Sequence, residues 1–487
     1  MSKRWVKYPI ALLCVFIVFI WNTPTASAFC GFFVGKADSQ LHNSSSRVVI
    51  AHSGNRSIFS MANDYQGDVK DFARIVPIPV VPNRDQVRIG NLETVERLNA
   101  FTAPRLVEYI DDPCIGEVTR LVMGVILLAV PSLFVALVLP RRARRLKEFL
   151  VVLFLIGIFL AFALPSTLHQ ANKAKGPPFD SALNVTVEDK FTVGEYDVVI
   201  LSAEQSNGLT TWLIQNGYKV PAGAQQMLQS YIDQGMKFFV VKVNLTEFEK
   251  SGYGFLRPMV LDYESPKFML PIRLGTLNST GEQDLIIHIL SPDGYAEVSN
   301  YRTAPIPTDT KSPQSKPSGE ELPYFLKEKD NFSKFYEAMF QREYERQGKN
   351  VAFLEYAGVI GVGSGKCDPC TVPPDEMPTL MDLLPEIDPF NSSYVTRLHV
   401  RYTYEKFPED LEFRIVGSLE GFTEAEASSD IVWSRDIFQG RYVIRRPKSG
   451  AFCIARLSYW KWNKRWMENL IRLTGWDKKE IGKMASR

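Results

Sequence analysis

The segment "KCDPCTVPP" (366–374) places Cys367 and Cys370 at the C-x-P-C spacing used in thiol–disulfide exchange. That chemistry needs the first thiol at a helix N-terminus, where the helix field favours the thiolate. Pro373 and Pro374 follow directly and prevent a regular helix. No second C-x-x-C exists, so a zinc ribbon fails as well. A structural disulfide is the first expectation, with a redox site and a metal site kept as alternatives. The segment "MANDYQGD" (61–68) offers Asn63, Asp64, Gln66 and Asp68 as oxygen ligands, but neither its spacing nor its end fits a calcium loop, and a capped turn is expected. "GVGSGKC" (361–367) has Ile360 where a phosphate loop needs Gly and Cys367 where it needs Ser or Thr. Ser364 there is not in a G-x-S-x-G elbow, and a Gly-rich turn is expected. The five histidines, His42, His52, His169, His288 and His399, form no H-E-x-x-H and no close pair. The neighbours Glu409 and Asp410 point to opposite faces if extended, as do Asp111 and Asp112. No catalytic, cofactor-binding or metal-binding residue is assigned, and no cofactor is expected.

The remaining cysteines set a compartment. Cys14 lies in a start that reads as a secretory signal: Lys3, Arg4 and Lys7, an apolar run from Ile10 to Trp21, then small residues at Ala26 and Ala28. Residues 1–28 are expected to form that signal, with an uncleaved anchor as the alternative. Cys30, Cys114, Cys367, Cys370 and Cys453 then face an oxidising side, where disulfides persist. Cys30 with Cys114, and Cys453 with Cys367 or Cys370, are the candidate pairs; five is odd, so one thiol stays free, pairs between chains, or the count misleads.

Five basic residues, Arg141, Arg142, Arg144, Arg145 and Lys147, stand between two long uncharged stretches, Leu121–Leu139 and Phe149–Leu168. Each stretch is about 30 Å long as a helix, the thickness of a hydrocarbon core. One continuous helix would bury those bases at mid-membrane, at roughly 2.5–3.5 kcal/mol each. A transmembrane hairpin is therefore expected, with helices over 120–139 and 149–168 and a basic turn over 140–148. Basic loops stay cytoplasmic, so the turn sets the topology and the rest of the chain lies outside, in agreement with the signal. Pro131 predicts a kink, and Gly124, Gly157 and Ala161 permit close helix contact. The formal charge is +2. Removing the three N-terminal bases and the net +4 of 141–148 leaves about −5. That balance excludes nucleic acid as a partner and leaves the lipid bilayer, with a membrane or envelope protein as a further possible partner.

Outside the hairpin the pattern is α+β, mostly antiparallel sheet with helices. Two strands surround Ser53-Gly54-Asn55, and "FARIVPIPVV" is an edge or irregular strand because of Pro77 and Pro79. "NLETVERLNAFTAPRLVEYI" reads as a helix capped by Asn91 and split in two by Pro104. Beyond a polar spacer from His169, "VGEYDVVILSA" is a strand, and residues 208–245 read helix, stop at Gly217, helix, strand. "KFMLPIRLG" and "DLIIHILSPDGYAEVSNYR" add three strands. Residues 303–321 are a Pro- and Ser-rich linker, dividing an outer segment 169–302 from a C-terminal segment 322–487; the first outer segment is 29–119. Residues 330–348 form a helix ending at Gly348, and "VTRLHVRYTYEKF" is a half-exposed strand. "LSYWKWNKRWMENLIRLTGW" closes the chain as a helix whose Trp460, Trp462, Trp466 and Trp476 are core in preference to a bilayer contact.

Nine of these stretches resemble a bacterial family known only as domain of unknown function 2330. They are "SMANDYQGDVKDFARIVPIPVV", "RLNAFTAPRLVEYIDDPC", "GEYDVVILSA", "WLIQNGYKVP", "GMKFFVVKVNL", "KFMLPIRLG", "CDPCTVPP", "TRLHVRYTYEKFPEDLEF" and "FQGRYVIRRP". The resemblance implies a secreted or surface-exposed protein and assigns no activity. The hairpin at 121–168 looks like an insertion relative to soluble members. The expectation is a membrane-anchored extracytoplasmic protein that binds a partner or scaffolds the envelope. The alternatives are an envelope enzyme, either a thiol oxidoreductase using Cys367 and Cys370 or a hydrolase, and a subunit of a membrane complex docked through the hairpin.

Overall fold

The computed structural model describes residues 32–33, 42–66, 73–111, 185–218, 220–221, 223–253, 255–278, 281–307, 321–328, 330–360, 393–417, 438–447 and 459–485. The chain divides into two compact units. Unit 1 gathers 1–103, 171–305 and 344–425; unit 2 gathers 104–170, 306–343 and 426–487. The signal (1–28), the hairpin (120–168) and most of the expected linker (308–320) lie outside the described residues. Among the described residues no helix is long and apolar enough to cross a membrane. The mixed, sheet-rich α+β class is observed.

The first stretch of unit 1 carries strands β1 (Phe32–Phe33), β2 (His42–Ser53), β3 (Arg56–Gln66), β4 (Ala73–Ile78) and β5 (Val87–Ile89), then helix α1 (Leu92–Thr102). The chain enters unit 2 as β6 (Arg105–Asp111). It returns with β7 (Val185–Val193), β8 (Tyr196–Ala203), helices α2 (Ser206–Gln215) and α3 (Ala224–Asp233), β9 (Lys237–Val243) and the short helix α4 (Leu245–Ser251). Strands β10 (Met259–Glu264), β11 (Met269–Leu270), β12 (Gln283–Ser291), β13 (Tyr295–Val298) and β14 (Arg302–Pro305) complete that stretch. Unit 2 then has β15 (Glu321–Leu322) and most of α5 (Asn331–Arg346). Unit 1 resumes with β16 (Val351–Ile360), β17 (Ser393–Tyr402) and β18 (Leu411–Val416). Unit 2 ends with β19 (Phe438–Gln439), β20 (Arg441–Pro447), α6 (Tyr459–Thr474) and α7 (Lys478–Ala485).

Unit 1 is layered helix, sheet, sheet, helix. One sheet runs β1-β4-β9-β8-β7. Helices α2 and α3 cover one face of it, burying Leu209, Leu213, Leu228 and Tyr231 against Ile75, Leu201 and Phe238. Its other face meets Met61 and Met259 of the larger sheet across a void of about 10 Å³, room for one water, lined also by Arg74, Val76 and Phe239. The larger sheet runs β14-β16-β17-β12-β2-β3-β10-β5. Its far face receives α1, whose Val95, Leu98 and Phe101 pack on Val49, Ile58, Ala62 and Val260. The β2–β3 turn at Ser53-Gly54-Asn55 is as expected, with Gly54 at φ +60°. Helices α2 and α3 flank Gly217 (φ +86°) as expected. Pro77 lies on the part of β4 beyond the two residues that β1 pairs, where its missing N–H leaves no gap in that ladder. A third, small sheet joins β11, β18 and β13.

Three local expectations need correction. Pro104 does not split one helix in two: α1 stops at Thr102, since a residue before Pro avoids the helical region, and 105–111 is a strand paired in parallel with β20. Strand β17 is buried on both faces, not half-exposed, because α1 and charged cross-strand partners cover its basic side. The Trp-rich helix α6 is followed by a further helix, α7, capped by the Asp477 carboxylate.

In unit 2, β15, β20 and β6 form a parallel sheet. Its core is aromatic: Tyr442 meets the rings of Phe332, Phe335 and Tyr336, and its hydroxyl donates to Pro307 O at 2.9 Å. Trp466 is half-buried and stands edge-on to Phe325, centroids 6.4 Å apart, and Trp476 is also half-buried; the side chains of Trp460 and Trp462 lie outside the described residues.

Candidate functional site: a buried charge ladder

Strand β17 carries Arg397, His399 and Arg401 on one face, two residues apart. Neighbouring β12 places Asp284 opposite Arg401 and His288 opposite Arg397. On the other side, β16 has a bulge between Leu354 and Tyr356, so Glu355 is the extra residue opposite Arg397. The result is an alternating row, Arg401, Asp284, His399, Glu355, Arg397. Arg401 grips Asp284 through Nε (2.8 Å) and Nη2 (2.7 Å). His399 Nε2 lies 2.8 Å from Asp284 Oδ1, and its Nδ1 lies 2.7 Å from Glu355 Oε1. The second oxygen of Glu355 accepts from Arg397 Nε at 2.6 Å.

The row ends on α1. Arg397 Nη1 donates to Asn99 O (3.0 Å) and Asn99 Oδ1 (2.7 Å). Thr102 Oγ1 donates to Leu98 O and lies 2.9 Å from His288 Nε2. Arg47 of β2 pairs with Glu96 of α1. The helix is set for this by its Asn91 cap, whose side chain accepts from Glu93 N at 2.8 Å. It therefore seats an apolar stripe and a polar edge on the same sheet.

Glu355 is fully buried, and Arg397 and His399 are 6% and 8% exposed. Because both ring nitrogens of His399 face carboxylate oxygens, both must donate, and the ring is an imidazolium. Burial disfavours that charge, but Glu355 and Asp284 raise the His399 pKa above its ordinary value. Burial also opposes the Asp284 charge, and the hydrogen bonds from His399 and Arg401 still hold it well below the usual carboxylate range. His288 goes the other way: burial, then the nearby Arg397 charge, keep it neutral. Chemically, the row is a cross-strand clamp that can hold or release one proton at His399.

A second group brings serine-hydrolase residue types together without their wiring. His52 Nδ1 lies 2.9 Å from Ser57 Oγ, but Asp293 accepts from Ser53 Oγ at 3.2 Å. A triad needs the acid on the second imidazole nitrogen, and Ser57 is 1% exposed. Burial lowers the His52 pKa to about 4, against the pull of Asp293, and the ring stacks on Phe268 with centroids 3.6 Å apart. Asp410 is likewise structural: it accepts from Tyr231 Oη (2.7 Å), Ile272 N (2.8 Å) and Arg273 Nε (3.0 Å). Its neighbour Glu409 faces Asn300 at the surface, so the two acids diverge as expected.

Cys30, Cys114, Cys367, Cys370 and Cys453 lie outside the described residues, as do Arg141, Arg142, Arg144, Arg145, Lys147, Ser364 and His169. Residues 61–66 of the suspected calcium loop belong to β3 rather than to a turn. No group of acids, histidines and cysteines suited to a metal occurs among the described residues. Sequence reading missed the ladder. Its signal is a few ionisable residues inside otherwise apolar strands: Glu355 in "VAFLEYAGVI", Asp284 and His288 in "DLIIHILS", and Arg397, His399 and Arg401 at period two in "VTRLHVRY".

No curated protein and no solved structure matches the chain. A family model described as "Uncharacterized protein conserved in bacteria (DUF2330)" matches residues 24–414. The match takes in the ladder and the cysteine pair and stops before "FQGRYVIRRP". With most of its length matched, the chain belongs to the DUF2330 family of bacterial proteins.

Proposed function

We propose that this protein is a membrane-anchored, extracytoplasmic binding or scaffold protein of the bacterial envelope. The anchor is the hairpin over 120–168, and the reading is carried by the five bases at 141–147 between two uncharged, bilayer-length stretches. The scaffold part is supported by how unit 1 uses its buried charges. The ladder directs them at one another and at α1, across three strands, which stiffens a body rather than presenting groups to a substrate. A stiff, sheet-rich body on a two-pass anchor suits display of a surface to a partner in or on the membrane. Alkaline extraction of membranes tests the anchor: the full chain stays with the lipid, and a chain with 121–168 replaced by a Gly/Ser linker is released. Release of the full chain overturns the reading. Co-purification in mild detergent, with and without the hairpin, separates a partner docked on the hairpin from one docked on the outer body.

A further inference from the structure

We propose that His399 is a proton-operated latch that seats helix α1 on the larger sheet of unit 1. The His399 ring bridges carboxylates on two different strands, Glu355 on β16 and Asp284 on β12. Glu355 in turn orients Arg397 through Nε, and the same guanidinium holds the last turns of α1 through Asn99. When the ring loses a proton, one nitrogen turns a lone pair toward a carboxylate oxygen. The contact of 2.7–2.8 Å becomes repulsive, with Phe353 buried opposite and little water at hand. Displacing Glu355 withdraws the acceptor that aims Arg397 at α1.

Charged and titratable groups near the ring include Glu355 from β16, Asp284 and His288 from β12, and Arg397 and Arg401 from its own strand, with Glu282 and Tyr344 acting on Arg401. Arg401 keeps Asp284 ionised and His288 stays neutral, which leaves the proton shared between the two carboxylates on the His399 ring. The closed state holds the proton more tightly than a free histidine does. The latch is therefore full below pH ~6.5 and weakens as pH rises through the folded value. Helix α1 is where such a latch has reach: two residues beyond its end, at Pro104, the chain passes from unit 1 into unit 2. The device belongs to unit 1 and stands whether or not the chain is anchored in a membrane.

Hydrogen exchange of the full-length protein in detergent, from pH 6 to 9 and corrected for intrinsic exchange, reads the opening of residues 92–102. Residues 206–233 serve as the internal reference. The expected result is an opening constant that rises above pH 6.5, by up to ~tenfold per pH unit for a one-proton linkage, then levels. In His399→Gln that rise disappears. A flat wild-type profile, or an unchanged rise in His399→Gln, overturns the proposal. Should His399→Gln not fold, ¹⁵N-histidine spectra of the wild type decide: an imidazolium at residue 399 at pH 7 supports the latch, and a neutral ring there refutes it.

Discussion

Removing the Glu355 carboxylate isolates the ladder's energetic role. In Glu355→Ala, Arg397 Nε loses a 2.6 Å acceptor and His399 Nδ1 loses one at 2.7 Å. Both cations sit under 10% exposed, so water does not replace what is lost. Breaking a buried pair in this way costs about 3–5 kcal/mol, or on the order of 10 °C in melting temperature at ~2–4 °C per kcal/mol. Urea unfolding followed by intrinsic fluorescence gives the difference directly. Two comparisons define the cause. Glu93→Ala breaks the Arg97 pair, exposed by 32% and 62%, and changes stability by no more than ~0.5 kcal/mol. A combined Glu355→Leu, Arg397→Met and His399→Leu chain removes the charges together and recovers most of the loss. A Glu355→Ala protein within ~0.5 kcal/mol of wild type refutes the claim that the ladder is desolvated and mutually satisfied.

Other consequences follow from individual residues. His52 holds its proton less tightly when folded, at about pH 4. The unfolded chain thus binds more protons between pH 6.5 and 4, and stability falls with acid over that window by up to ~3 kcal/mol; His52→Phe removes that part of the slope in pH-dependent unfolding. Gly294→Ala forces a side chain onto φ +146°, with its Cβ 2.4 Å from Val416 O. It destabilises the β12–β13 turn by ~1–3 kcal/mol in the same assay. For the cysteine pair, alkylation before and after reduction separates the readings: a structural disulfide leaves Cys367 inert until reduced, and rapid alkylation at pH 6 favours the oxidoreductase.

What could be read from the sequence was what is local. The β2–β3 hairpin turns on Gly54, and the stop between α2 and α3 falls at Gly217, because each glycine occupies a positive φ that neighbouring residues resist. Asn91 announced α1 for the same kind of reason, a side chain satisfying a nearby N–H. Residues 105–111 read as helical in sequence but form a strand, because their partner, 441–447, is more than 300 residues away and tertiary pairing overrides a weak helical pattern. Strand β17 looks half-exposed in sequence because a basic residue at period two reads as a solvent face unless its acids are known. Those acids, Glu355 and Asp284, stand 42 and 117 positions from their partners Arg397 and Arg401. Proximity of that kind is a property of strand order, with β12 between β17 and β2, and periodicity carries no information about it.

Sidedness is the point on which the proposed anchor stands or falls, and a pair of cysteine probes tests it on intact cells with a membrane-impermeant maleimide. Tyr404→Cys, at a site 51% exposed in unit 1, labels from outside; Arg144→Cys, in the basic turn, labels only after lysis, both over the wild-type background. Labelling of the residue 144 probe on unbroken cells, or protection of the residue 404 probe, contradicts the proposed topology.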